Sequence, residues 1–162
     1  MTRRYARAPK GERAYGSVPR NRGKNTTLLA SMTLEGGMGE AMAVEGSTTA
    51  KVFEAYVEEV LAPNLKEGQV VILDNLTAHK SEKVRELIEV RGCELIFLPA
   101  YSPDFNPIEE AFSKIKAHLR KAAARTHEAL LEAIGRALGA ITVPDALGWF
   151  AHCGYAVEDQ AS

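Results

Sequence analysis

Cysteine is scarce: Cys93 and Cys153 are the only two among 162 residues, with no CxxC and no Cys/His quartet around them. A disulfide scaffold and a zinc site of that type are thereby excluded, and a reducing cytosol is the expected compartment. No apolar run approaches the roughly 18 residues that span a bilayer, and the N-terminus has no apolar segment of the secretory kind. Neither a membrane protein nor a secreted one is expected. An arginine-rich start can suggest a transit peptide, but Pro9, Gly11, Gly16 and Pro19 would interrupt its amphipathic helix. Internal repeats and low-complexity tracts are also lacking.

Net charge is small as well. Lys plus Arg total 20 against 21 Asp plus Glu, a net charge of -1, and the 46% apolar and 25% charged content suits one globular domain. The total conceals an asymmetry. Between Met1 and Asn25 stand eight basic residues (Arg3, Arg4, Arg7, Lys10, Arg13, Arg20, Arg22, Lys24) and one acid, Glu12, so this stretch carries +7 and the remainder -8. Residues 1–24 read as a basic arm rich in Arg, Gly and Pro, with a short strand at Arg13 to Val18. Such an arm suits contact with phosphates, although a solvated basic tail is the plainer reading of any one charge run.

The rest alternates strand and helix signals. TTLLASMTL (26–34) and EAMAVEG (40–46) flank the turn EGGMG and predict a hairpin. After Ser47, Thr48 and Thr49, any of which can cap, Val52, Phe53, Tyr56, Val57, Val60 and Leu61 recur at the spacing of a core-packed helix that Pro63 ends. VVIL (70–73) is too short for a helix and reads as a strand buried on both faces. Ser81 caps a helix with Val84, Leu87 and Ile88 inward and Gly92 as its stop, and LIFLP (95–99) is a second buried strand. Strand, helix and strand make a βαβ unit with parallel strands. In the next helix Asn106 suits the N-cap, Pro107 the first position and Glu109 the capping-box position. Ile108, Phe112, Ile115 and Leu119 line one face, with Lys114, Lys116, Arg120 and Lys121 toward solvent. Thr126 opens a last helix carrying Leu130, Leu131, Ile134 and Leu138, and VPDALGWFAHCGY is a short coda in which Trp149 and Phe150 pack as core or lid.

Two acids fall where chemistry is possible. Asp74 ends the first buried parallel strand, and strand ends in such sheets form the ligand crevice. Glu109 starts a helix shortly after the next strand, so both carboxylates can reach one rim. Acids that meet repel unless neutralised, and a divalent cation with oxygen ligands is the usual neutraliser. The plainer readings are that Glu109 is only a cap and that Asp74 only braces the turn at Asn75. Histidines 79, 118, 127 and 152 share no ligand spacing, but His79 lies on the rim of Asp74.

ILDNLTAHKS (72–81) and LPAYSPDFNPIEEAFSKIKAHLR (98–120) resemble the DDE transposases of the mariner superfamily, above all its insertion-sequence 630 branch, and the closing GWFAHCGY agrees with that pattern. The resemblance implies an α/β, RNase H-like fold, a mixed five-stranded sheet flanked by helices. It also implies that DNA is cut and joined with two Mg²⁺ or Mn²⁺ ions held by three carboxylates. Asp74 matches the second Asp and Glu109 in NPIE the final Glu, with 34 residues between them as in this branch, and Glu110 is the second choice. By the same likeness the partners are DNA, as transposon ends and target, and a second copy or a full-length transposase. The arm residues, His79, Lys80, Lys116 and Arg120 would contact the DNA backbone, which gives affinity without sequence readout. The protein would be cytoplasmic and nucleoid-associated.

One departure stands out. In the family the first Asp lies on a first, central strand, between the hairpin and the strand at 70–74, and no Asp precedes Asp74 here. Residues 25–162 therefore read as a catalytic domain truncated at its N-terminus, lacking that strand and the helix-turn-helix region before it. Three readings follow: a transposase segment inactive in isolation, a non-catalytic DNA-binding or transposase-inhibiting remnant, and a small metal-dependent phosphohydrolase using Asp74 and Glu109 alone. The SPDFNPIEE block argues against the third.

Overall fold

Threonines and apolar residues in the run TTLLASMT give the first strand of the computed structural model, which describes Lys10 and residues 25–155. Apart from Lys10, which is an exposed turn residue, the arm lies outside the described residues, and so does the strand expected at 13–18. β1 (Thr26–Thr33) pairs antiparallel with β2 (Gly37–Glu45), with a register shift between Ala30 and Met32. The turn is tighter than the sequence suggested. Gly37 takes φ +74, and a Cβ there would stand 3.5 Å from the Thr142 backbone, so the hairpin end meets the C-terminal helices at a residue without a side chain.

Thr49 caps α1 (Ala50–Tyr56) by accepting the Val52 N–H at 3.3 Å. The rod continues through a wider π turn at Val57–Leu61 and ends in a 3-10 turn at Ala62–Asn64, the stop expected from Pro63. β3 (Val70–Leu73), α2 (Glu82–Glu89) and β4 (Glu94–Phe97) form the expected βαβ unit, the strands parallel from Val70↔Glu94 to Leu73↔Phe97. Ser81 stands at the N-cap position of α2, yet its hydroxyl donates to Glu54 Oε1 at 2.5 Å rather than capping.

The expectation that β3 is buried on both faces is not met. Val71, Leu73, Leu95 and Phe97 face a core built on Phe53, Tyr56, Val57, Val84 and Ile88, whereas Val70, Ile72 and Ile96 are 50%, 37% and 42% exposed. The reason is where the helices go. The α1 rod and α2 cover one face of β3 and β4, while α3 (Ile108–Ala122), α4 (His127–Gly139) and α5 (Val143–His152) build a second core on the hairpin, with Ile115, Ala137 and Ile141 against Leu28, Met38 and Trp149. Among the described residues four strands form two separate pairs, where the family resemblance implies five in one sheet. The result is a mixed α/β fold of antiparallel and parallel strands flanked by helices, consistent with an RNase H-like domain.

Two helix starts differ from expectation. Asn106 makes no capping bond, the helix begins at Ile108, and Glu109 therefore does not close a capping box. The coda is a full helix instead: Thr142 and Asp145 form the capping box that the sequence spells as T-x-x-D ahead of an apolar run. Asp145 also takes the Lys114 ammonium at 2.7 Å, tying α5 to α3. Lys114 first, then the Thr142 N–H and hydroxyl, hold the Asp145 carboxyl down at about 2 from its ordinary 3.8. A lowered folded-state value means stability that is full above about pH 4 and lost as pH falls toward 2. Trp149 on α5 is the natural reporter. Its emission is expected to shift in that window, and Asp145→Asn should flatten the response; an unchanged acid profile in that variant would count against the link.

Candidate functional site

β3 ends where the Leu98 N–H reaches the Leu73 carbonyl at 2.8 Å, which extends the parallel ladder one step and fixes the backbone just before Asp74. Asp74 then turns the chain: its Oδ1 accepts the Leu76 N–H at 3.2 Å, the local bond by which an Asp braces a turn. The same Oδ1 lies 2.5 Å from His79 Nδ1, off the line required of a hydrogen bond, and Nδ1 is buried with no other polar partner among the described residues. His79 closes a 3-10 turn at Thr77–His79 and stacks on Phe53 of α1, with ring centroids 3.9 Å apart and planes 30° from parallel. Oδ2 of Asp74 has no partner among the described residues, and the side chain is 34% exposed.

Glu109 sits on the first turn of α3. Its carboxylate is exposed and, among the described residues, unpartnered, so the cap that explains it most simply is not made. The 3-10 turn ahead of it, Pro103–Phe105, is held by the Tyr155 hydroxyl, which donates to the Phe105 carbonyl at 2.8 Å from beyond the end of α5. Asp104, Glu109, Glu110, His152 and Cys153 share a pocket of about 170 Å³. Burial, then the charges of Glu110 and Asp104, push the Cys153 thiol up. A larger, open depression of about 320 Å³ lies beside Asp74, lined by Asn75, Lys80, Ser81, Glu82, Arg85 and Phe97.

Among the described residues each of Asp74 and Glu109 keeps a carboxylate oxygen without a partner, and the two line no common pocket. Among the described residues no three His, Cys, Asp or Glu side chains are gathered as a metal would need. Hard oxygen donors of this kind suit Mg²⁺ or Mn²⁺, so the chemistry of the donors fits such an ion while their number falls short of a complete site. Of the basic residues expected to meet DNA, Lys80 lines the open depression, and Lys116 and Arg120 are exposed on α3 at i, i+4 spacing. His79 is turned toward Asp74, with its side chain 14% exposed. The arm residues Arg3, Arg4, Arg7, Arg13, Arg20, Arg22 and Lys24 lie outside the described residues. Sequence reasoning missed Arg85, whose guanidinium stands 6.0 Å from the Phe97 ring centroid at the same depression. A basic residue on the outer side of a short helix carries no signal until its neighbours are known. It also missed the stack of Phe53 under His79, for which a helical apolar period gives no warning.

A family model described as DDE superfamily endonuclease matches residues 1–131. Among solved structures, the fold is similar to the Mos1 strand transfer complex, with 20% identity and a TM-score of 0.71 over 93% of this chain and 45% of that one. It is similar as well to the Mos1 transposase paired-end complex with left transposon end, with 18% identity and a TM-score of 0.67 over 93% and 46% of the two chains. A third likeness is to the Mos1 mariner paired end complex with Mn, with 17% identity and a TM-score of 0.65 over 94% and 47%. The chain spans less than half the length of these relatives, and at such identities the likeness is one of fold. No curated protein matches it. No helix among the described residues is long and apolar enough to cross a membrane.

Proposed function

Because the chain belongs to the DDE superfamily of endonucleases, we propose that it is the Asp74- and Glu109-bearing part of a DNA transposase of the insertion-sequence 630 branch. What carries this is the pairing of the family match with two carboxylates whose simplest structural duties leave an oxygen free. The SPDFNPIEE block and the 34 residues between Asp74 and Glu109 support the finer placement. Asp74 would hold one divalent cation from the end of β3, and Glu109 would approach from the first turn of α3. Bound there, Mg²⁺ or Mn²⁺ would polarise the scissile phosphate and lower the pKa of the attacking water or 3′-hydroxyl. Lys80, Lys116, Arg120 and the basic arm would contact backbone phosphates and fix the duplex without reading its sequence. A carboxylate from outside the Asp74 to Glu109 span is needed to complete the set. Transposon-end and target DNA are the substrates, and a second copy of the chain or a full-length transposase is the protein partner.

A second reading, a DNA-binding or transposase-inhibiting protein without catalysis, is favoured by one observation: Glu109 lines a pocket that Asp74 does not. End-labelled DNA incubated with the chain, alone and joined to a strand segment bearing the first Asp, separates the two. Metal-dependent nicking in the joined form supports the first reading, and its absence in both forms supports the second.

Both readings share a DNA-binding prediction. Each phosphate neutralised on duplex DNA steepens the fall of log K with log salt by about 0.9. Removing residues 1–24 is expected to flatten that slope by several units, and Lys116→Ala by about one. Filter binding across a salt series measures both, and an unchanged slope without the arm would remove it from the interface.

A further inference from the structure

We infer that His79 is a positioning residue that sets which oxygen of Asp74 faces an incoming cation. The inference rests on the reading of Asp74 as a cation ligand. Asp74 is only partly enclosed, and a carboxylate at a strand end is otherwise free to turn about its own bonds. Two contacts remove that freedom, and both fall on the same oxygen: the Leu76 N–H at 3.2 Å and His79 Nδ1 at 2.5 Å. Oδ2 is left as the free donor.

The imidazole can do this because it is itself held. Its ring lies 3.9 Å from Phe53, which is 4% exposed in the larger core. Two residues on, the Ser81 hydroxyl donates to Glu54 of the same helix at 2.5 Å. Adjacent residues of α1 therefore grip the segment after Asp74 at two points, one by stacking and one by a hydrogen bond, and the grip passes to the carboxylate through Nδ1. A histidine present only to fill space would not bring a buried polar nitrogen against a carboxylate oxygen, because an apolar ring would fill the same space without that nitrogen. Partners of this kind, one step behind the ligand, typically change metal affinity by about 10- to 100-fold when removed.

The test is Mn²⁺ binding to the full chain, followed by the loss of the free-ion electron paramagnetic resonance signal, with no DNA and no turnover. His79→Phe keeps the stack and deletes Nδ1. His79→Leu and His79→Asn have the same shape as each other, and only Asn places a polar atom near the Nδ1 position, so this pair carries the comparison even if His79→Phe fails to fold. His79→Phe and His79→Leu are expected to weaken Mn²⁺ binding by about 10- to 100-fold with little change in melting temperature, while His79→Asn retains most of the affinity. Equal losses in the Leu and Asn variants, or no loss in either while Asp74→Asn abolishes binding, would overturn the role of His79 and leave Asp74 as a ligand. Binding unchanged by Asp74→Asn would overturn the ligand reading itself, and the positioning role with it.

Discussion

Replacing Ile88 by Ala is expected to lower the unfolding free energy by about 2–5 kcal/mol, whereas Ile72→Ala should cost only about 1–1.5 kcal/mol. The two residues belong to the same βαβ unit and lose the same atoms. Ile88 is fully buried on the inner side of α2, in the core that Val57, Val84 and Leu95 share, so truncation leaves a cavity with little room to collapse. Ile72 points to the other face of β3 and is 37% exposed. Small domains are stable by about 5–15 kcal/mol in total, and one whose described strands form two separate pairs should lie low in that range. Ile88→Ala would then populate the unfolded state visibly at ordinary temperature. Urea titration measures this: the midpoint should fall while the slope stays constant. Equal effects at the two isoleucines would mean that β3 is covered on both sides after all. The intact chain should melt below about 65 °C.

The contrast marks where sequence reading worked and where it stopped. Local chemistry was legible. Thr49 and Thr126 cap as their side chains allow, Pro63 ends the helical rod, and VVIL and LIFLP pair in parallel because a short amphipathic helix separates them. What depends on distant packing was not. A continuous apolar run such as VVIL looks the same whether helices lie on one face or two, and the answer depended on α3, α4 and α5 packing on the hairpin instead. α5 escaped notice because its apolar stretch is short, although Thr142, Pro144 and Asp145 spell a helix start. At the candidate site, Asp74 and Glu109 stand out by position and by their likeness to the family motif. The neighbours that shape them, Phe53, Glu54 and Tyr155, come from segments far away in the chain and bear no chemical mark of their own.

The largest effect expected on activity is all or nothing. The purified chain should give no strand transfer with Mg²⁺ or Mn²⁺, a deficit of about 10³-fold or more against a form that also carries the first Asp. Charge is the reason. Two divalent cations bring four positive charges to the scissile phosphate, and Asp74, Glu109 and that phosphate offset only three, so the second ion has no adequate hold. Geometry points the same way, because Asp74 presents one free oxygen and Glu109 opens onto a different pocket, with no third ligand gathered among the described residues. The loss of one ion removes several kcal/mol of transition-state stabilisation, and each 1.4 kcal/mol or so is a factor of ten in rate. Joining the chain to a strand segment with an Asp supplies the third carboxylate. Nicking of end-labelled DNA should then appear and return to background with either Asp74→Asn or Glu109→Gln. Metal-dependent cleavage by the chain alone, lost on Asp74→Ala, would show that two carboxylates suffice and would restore the small phosphohydrolase to contention.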